Sequence, residues 1–234
     1  MRTNLLALGL IAVLPALAGA AGKGAAARPY VPPGHGDNIS GIWQGDPPLD
    51  WVDPAKDEIP LTPPYAARLK AARDAADAGK PLIDSAARCE AFGMPRFLSY
   101  GNTEILQTPG QVTMISEVLH EVRRIYTDGR KMPADFDPGY GGYSTGHWEG
   151  KELVVNTAGI IANTNDQYGI PHSDVLRVIE RIHLRDPNTL VNVVTLIDPV
   201  AYTKPWTVTR TYHRMPAGTE FEEYICRQDY LSAK

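Results

Sequence analysis

The chain has 234 residues, is 43% hydrophobic, and carries 23 basic against 27 acidic side chains, for a formal net charge of −4. That content supports one domain with a sizeable core. An acidic chain without a Lys/Arg cluster is excluded as a nucleic-acid binder and as a polybasic adherent to anionic membranes, because both depend on clustered positive charge.

At the N-terminus, Arg2 precedes an apolar run from Leu5 to Leu17, and Ala18-Gly19-Ala20 follows it. A positive start, a short apolar stretch and small residues at a cleavage point predict a secretory signal peptide over 1–20. The run is shorter than the roughly 20 apolar residues a membrane-spanning helix needs. The mature protein is therefore expected to be periplasmic or secreted, with no membrane span after processing; the competing reading is an uncleaved anchor. Cleavage removes Arg2 and no acid, moving the charge from −4 to −5. Residues 21–38, rich in Gly, Ala and Pro, read as a flexible lead-in.

Residues 39–102 read as a Pro-rich extension. Order begins at Ile39-Ser40-Gly41-Ile42-Trp43, and prolines then stand at 47, 48, 54, 60, 63 and 64. Prolines so dense leave little room for a regular element. Thr62 as a cap, Pro63 and Pro64 in a first turn, an Ala-rich run and Gly79 as a stop predict one peripheral helix over 63–78. The two cysteines of the chain, Cys89 and Cys226, are expected to form a disulfide in an oxidising compartment; two separate buried thiols are the alternative.

From residue 103 to 234 the pattern has period two. Candidate strands are 103–108, 111–119, 121–127, 143–149, 151–157, 174–184, 189–198, 205–213 and 220–227, with hairpin signals such as Pro109-Gly110, Asp128-Gly129 and Glu149-Gly150 between many of them. The fold class expected is all-β: an antiparallel, lipocalin-like barrel of about eight or nine strands, closed because closure removes exposed edges. Two connections, 129–142 and 158–173, exceed what a hairpin needs, and long loops on a rigid frame are where chemistry gathers.

Gly41-Ile42-Trp43 ahead of antiparallel strands is similar to the opening of lipocalin-type barrels. Arg123-Arg124-Ile125-Tyr126-Thr127-Asp128-Gly129-Arg130, Gly146-His147-Trp148-Glu149-Gly150, and Asp198-Pro199 with Pro205-Trp206 together resemble a family of exported, largely uncharacterised bacterial proteins. The resemblance covers most of the mature chain and implies an exported β-barrel-like domain, but no reaction. Lys151 departs from the acidic residue that family carries after its Trp-Glu-Gly turn.

Among candidate site residues, Glu180 is the most telling. It interrupts the apolar face formed by Leu176, Val178, Ile182 and Leu184. A carboxylate aimed into a barrel must be paired, hydrogen-bonded or protonated, so Glu180 is either a general base or half of an internal ion pair with an inward arginine. Arg124 and Tyr126 share a face with Val122; if that face points inward they supply a cation and a phenol to a cavity, whereas an inward Ile125 leaves both in water. His172, in the loop before the Glu180 strand, suits proton transfer, or simply caps backbone groups. Counting strands between the two long loops brings both to one barrel end, with one cavity lined by Tyr126, His172, Glu180 and Arg124.

His147 and Glu149 form a His-x-Glu pair, yet the six scattered histidines and the absence of paired-cysteine or His-Glu-x-x-His motifs argue against a dedicated metal site. No Gly-x-Ser-x-Gly elbow and no complete phosphate loop is present. Tyr143, in the glycine-rich run 139–146, suits a flexible aromatic lip. Trp148 and Trp206, with Trp43, Tyr202 and Phe221, are either cavity lining or plain core.

Two functions follow. One is a cofactor-independent acid–base lyase or isomerase acting on a small aromatic or apolar substrate, with Glu180, His172 and Tyr126 catalytic and with Arg124, His147, Trp148, Tyr143 and Trp206 binding the substrate. The other is a non-catalytic ligand-binding barrel. The sequence leaves the oligomeric state open.

Overall fold

A computed structural model describes residues 37–46, 58–80, 88–99, 101–162, 170–224 and 226. The expected signal peptide, most of the lead-in, much of the proline-rich stretch and residues 163–169 lie outside the described residues.

Nine strands close into one barrel: β1 (Gly41–Asp46), β2 (Asn102–Thr108), β3 (Gln111–Ser116), β4 (Val122–Tyr126), β5 (Tyr143–Glu149), β6 (Glu152–Ala158), β7 (Arg177–Asp186), β8 (Thr189–Ile197) and β9 (Trp206–Arg214). Each neighbours the next in sequence, and β1 pairs with β9 to complete the ring. Period-two burial places Ile105, Ile125, Leu153, Val155, Val178, Ile182 and Val194 inside, which is what alternation on a pleated strand dictates.

Two expectations about the barrel need correction. The ninth strand is not 220–227, whose described residues are irregular, but β1, which lies within the expected Pro-rich extension. The barrel thus recruits a strand from before the proline-rich stretch. Nor is the barrel wholly antiparallel. An odd number of strands cannot alternate direction around a closed ring, so one junction must join strands of like direction. That junction is β4–β5, paired in parallel through only Ile125↔Ser144 and Tyr126↔Thr145. Parallel neighbours need a crossover rather than a hairpin, and residues 127–142 supply it.

Among the described residues the one α-helix, α1 (Pro63–Asp77), buries only Tyr65 and Leu69 and so sits on the surface. Thr62 occupies the N-cap position, but its hydroxyl donates across the fold to the Val200 carbonyl at 2.9 Å instead of capping the helix. At the other end the Ala78, Gly79 and Lys80 amides turn back onto the last-turn carbonyls, with Gly79 at φ 75°. Segment 58–62 lies along the β8–β9 turn, where Thr62 N bonds to Ala201 O at 2.8 Å and Thr203 N to Pro60 O at 2.7 Å.

Segment 88–99 stoppers the barrel. Tyr212 Oη donates to Leu98 O at 2.8 Å and Arg210 Nη2 to Ser99 O at 3.1 Å, both from inside β9. Burial pushes the Tyr212 phenol above its usual range, keeping it a donor. Gly45 opposite has no side chain, and a Cβ there would lie 2.1 Å from Arg210 Nη2. The segment is held from outside by the expected disulfide, Cys89–Cys226, with Cα atoms 5.7 Å apart. Among the described residues no helix is long and apolar enough to cross a membrane.

Candidate functional site

Glu180 lies on the inward face of β7, as alternation requires, and is fully buried. Its carboxylate is completely engaged. Oε1 accepts from Arg123 Nη1 at 3.1 Å and from Asn192 Nδ2 at 2.9 Å, while Oε2 takes the other arm of the same guanidinium. Arg123 spends its remaining donors on Ser144 Oγ at 3.1 Å, Thr157 Oγ1 at 2.9 Å and Met114 Sδ at 3.8 Å, and the two hydroxyls stand 2.8 Å apart. This is a closed network joining β4, β5, β6, β7 and β8. Glu180 is therefore half of an internal ion pair with no face left for a substrate.

The partner is Arg123, not Arg124. Two arginines in tandem offered β4 a choice of phase. An inward Arg124 would carry Val122 and Tyr126 inside with it; an inward Arg123 carries Ile125, which is fully buried here. Val122 is 43% exposed. The inward placement of Arg124 and Tyr126 is thus corrected: β4 buries Arg123 and Ile125 and turns the other set outward.

The outward set still meets a cavity, because the β4–β5 seam is short. Before Ile125 the two strands part, leaving a cleft of about 230 Å³ open to both faces of β4. The inner face contributes Glu121, Arg123 and Ser144; the outer face contributes Val122, Arg124 and Tyr126. The crossover supplies Phe136, Gly141, Gly142 and Tyr143, and the stopper segment supplies Met94 and Phe97. The Tyr143 ring lies 5.2 Å from those of Tyr126 and Phe136. Arg130, paired with Asp128, stacks on Tyr126 with its guanidinium 4.0 Å from the ring centroid. The crossover's course is pinned by Met94 N donating to Tyr140 O at 2.9 Å and by the Gly139–Ile160 bridge. The two long loops do touch at that bridge, although they reach it by the parallel crossover rather than by a meander.

Glu121 is the functional candidate that sequence reasoning missed. Its oxygens accept the amides of Phe92 at 2.9 Å and Gly93 at 3.0 Å. Burial is the dominant influence on its acidity and raises the pKa above the ordinary 4.5, outweighing those amides and the nearby Arg123 and Arg96. The signal was present in the alternation. Glu121 shares parity with Arg123 and Ile125, so choosing that phase for β4 would have delivered it. The Leu119-His120 turn before it, with φ of 60° and 48°, is what bends the chain into the cleft.

The other expected site residues lie elsewhere. Tyr143, Tyr126 and Arg124 line the cleft; His172, Glu180, His147, Trp148 and Trp206 do not. His172 is buried, with Nδ1 donating to Ser173 O at 2.9 Å. Beside it Ser173 Oγ donates to Asp198 Oδ1 at 2.8 Å, and Asp198 also accepts the Ser173 and Ala201 amides, which clasps two loops together. His147 projects from the barrel's outer wall, 3.0 Å from Glu149, and Glu149 also bridges to Arg181. The described residues hold no cluster of three or more His, Cys, Asp or Glu arranged for a metal ion. Trp148 packs against the core, Trp206 meets Tyr202 edge-on at 5.9 Å, and Trp43 is buried with its Nε1 donating to Ile39 O. None of these aromatics lines the seam cleft.

No protein-family model matches the chain, and no curated protein matches it either.

Proposed function

We propose that this protein is an exported, cofactor-independent enzyme that moves a proton on a small aromatic substrate held in the seam cleft. The observation that carries the reading is Glu121, a carboxylate whose pKa burial raises, facing a cleft walled by Tyr126, Tyr143, Phe136 and Phe97. A carboxylate lifted toward the working pH is a better general base than an ordinary one. In its ionised form Glu121 takes a proton from a substrate carbon. It returns that proton at another carbon in an isomerisation, or to the departing group in an elimination. The aromatic walls hold the ring, and the Tyr126 hydroxyl is available to a substrate oxygen. The roles first assigned to Glu180 and His172 pass to Glu121, since neither lines the cleft.

Export to the periplasm or beyond belongs to the same proposal. The Cys89–Cys226 disulfide supports it, because such bonds persist in oxidising compartments. Kinship with the exported bacterial barrel family, carried by the motif around β4 and the Gly-His-Trp-Glu-Gly turn, is proposed with it.

A specific observation favours a second reading, a barrel that binds without reacting: both Glu121 oxygens are already taken by backbone amides, as a clamp for the stopper segment would require. Incubation with pools of aromatic metabolites, followed by mass spectrometry, separates the two. The enzyme reading expects new product masses, turnover that depends on pH through Glu121, and a Glu121→Gln variant that binds but does not turn over. Ligand recovered unchanged from every pool, with tight retention, would establish the binding reading instead.

A further inference from the structure

We infer that the cleft takes an aromatic carboxylate, with Arg124 holding the anionic group. This deepens the proposed function and rests on its reading of the cleft as an aromatic-ligand site.

Most arginines of this chain already have a partner. Arg123 is locked onto Glu180, Arg130 onto Asp128 and Arg181 onto Glu149 and Glu152. Arg177 reaches Asn156, Arg214 reaches backbone carbonyls, and Arg68 and Arg96 lie over aromatic rings. Among the described residues Arg124 has no hydrogen bond, ion pair or ring contact of its own, yet it lines the cleft. A guanidinium offers five donors in a planar fork that matches a carboxylate edge to edge. A cation left without a partner beside aromatic walls is a receptor for an anion attached to a ring.

The surroundings fit a carboxylate better than a larger anion. A cleft of about 230 Å³ suits a single ring with a short side chain, and one unpaired arginine matches one negative charge. Repulsion from Glu121 is limited because the two groups stand at alternate positions of the chain: Glu121, half-buried just before β4, shares parity with the buried Arg123 and Ile125, while Arg124 is outward with Val122 and Tyr126. A ring lying between Tyr126, Tyr143 and Phe136 would then direct its carboxylate to Arg124 on one side and present its side-chain carbons to Glu121 on the other.

The test is binding of trans-cinnamate and of cinnamamide, its uncharged isostere, to the full mature chain, followed by calorimetry or ligand-detected NMR. Charge-assisted hydrogen bonds predict that cinnamate binds about ten- to hundredfold tighter than the amide. Arg124→Met should abolish that preference and Arg124→Lys retain part of it, whereas Arg185→Met, at a solvent-exposed arginine elsewhere, should leave it unchanged. Arg124 supports no contact in the fold, so both variants should keep the wild-type thermal transition. Equal binding of acid and amide would overturn the carboxylate inference and leave the aromatic cleft standing. A preference that survives in Arg124→Met would overturn the role of Arg124. Failure of both ligands to bind at millimolar concentration would overturn the aromatic cleft and this inference together.

Discussion

The barrel interior and the seam cleft are built from the same kinds of side chain in opposite arrangements. Each has an arginine from β4 and a glutamate, and the two arginines are adjacent in sequence. Inside, Arg123 and Glu180 satisfy each other and recruit Asn192, Ser144 and Thr157. At the seam, Glu121 and Arg124 share a cavity with no ion pair between them. A charged group whose every donor or acceptor is engaged holds a fold together. At the seam Glu121 accepts the Phe92 and Gly93 amides, and Arg124 has no partner among the described residues. The difference is set by one geometric fact: a nine-stranded ring needs one parallel junction, and that junction is too short to seal.

The sharpest way to separate the regions is to cut the disulfide. Cys89 and Cys226 are 137 residues apart in sequence, so in the chain-entropy model Cys89→Ser/Cys226→Ser should lose about 4–5 kcal/mol by urea unfolding. Hydrogen exchange should localise the loosening to residues 91–98, the wall of the cleft, while amides around Glu180 stay protected. Uniform loss of protection would mean that the two regions are one cooperative unit.

Glu180→Gln attacks the interior directly. Leaving Arg123 buried without its counter-charge should cost about 3–5 kcal/mol, and Arg123→Met/Glu180→Leu together should cost less than the sum of the single changes. A Glu180→Gln protein of wild-type stability that had lost turnover would return catalysis to the interior and erase the contrast.

A smaller effect is expected from Gly45→Ala, whose new methyl meets the buried Arg210 guanidinium. Overpacking of this kind costs about 1–3 kcal/mol. It should lower Tm without altering ligand affinity at the seam, since Gly45 lies against the stopper's contact with β9 rather than in the cleft.

The smallest effect is a pH slope. Because burial raises the Glu121 pKa above 4.5, the folded chain keeps a proton that the unfolded chain releases. Its contribution to stability is therefore fully present below about 4.5 and declines as pH rises through the raised value. The stability difference, wild type minus Glu121→Gln, should fall over that window in denaturant titrations at successive pH values. A flat difference would show that Glu121 titrates as a surface acid and has no special place in the cleft.

Much of this was legible before any coordinates. Alternation named eight of the nine strands and the inward carboxylate Glu180, proline and glycine punctuation located α1 to within a residue, and the two cysteines could pair only with each other. These are local facts, carried by residues a few positions apart, and pleat geometry or composition reads them without knowing the neighbours. What escaped was whatever depended on partners distant in sequence. Gly41–Asp46 could not declare itself a barrel strand, because its claim rests on β2 and β9 needing an edge between them. The phase of β4 could not be chosen from Val122, Arg123, Arg124 and Ile125 alone, because the deciding energy is the counter-charge of Glu180 on β7. The cleft followed from that phase and from the parallel seam. Short-range periodicity thus determined the elements and one buried charge, while ring closure and charge pairing, both long-range and collective, decided which arginine was buried and which was turned outward.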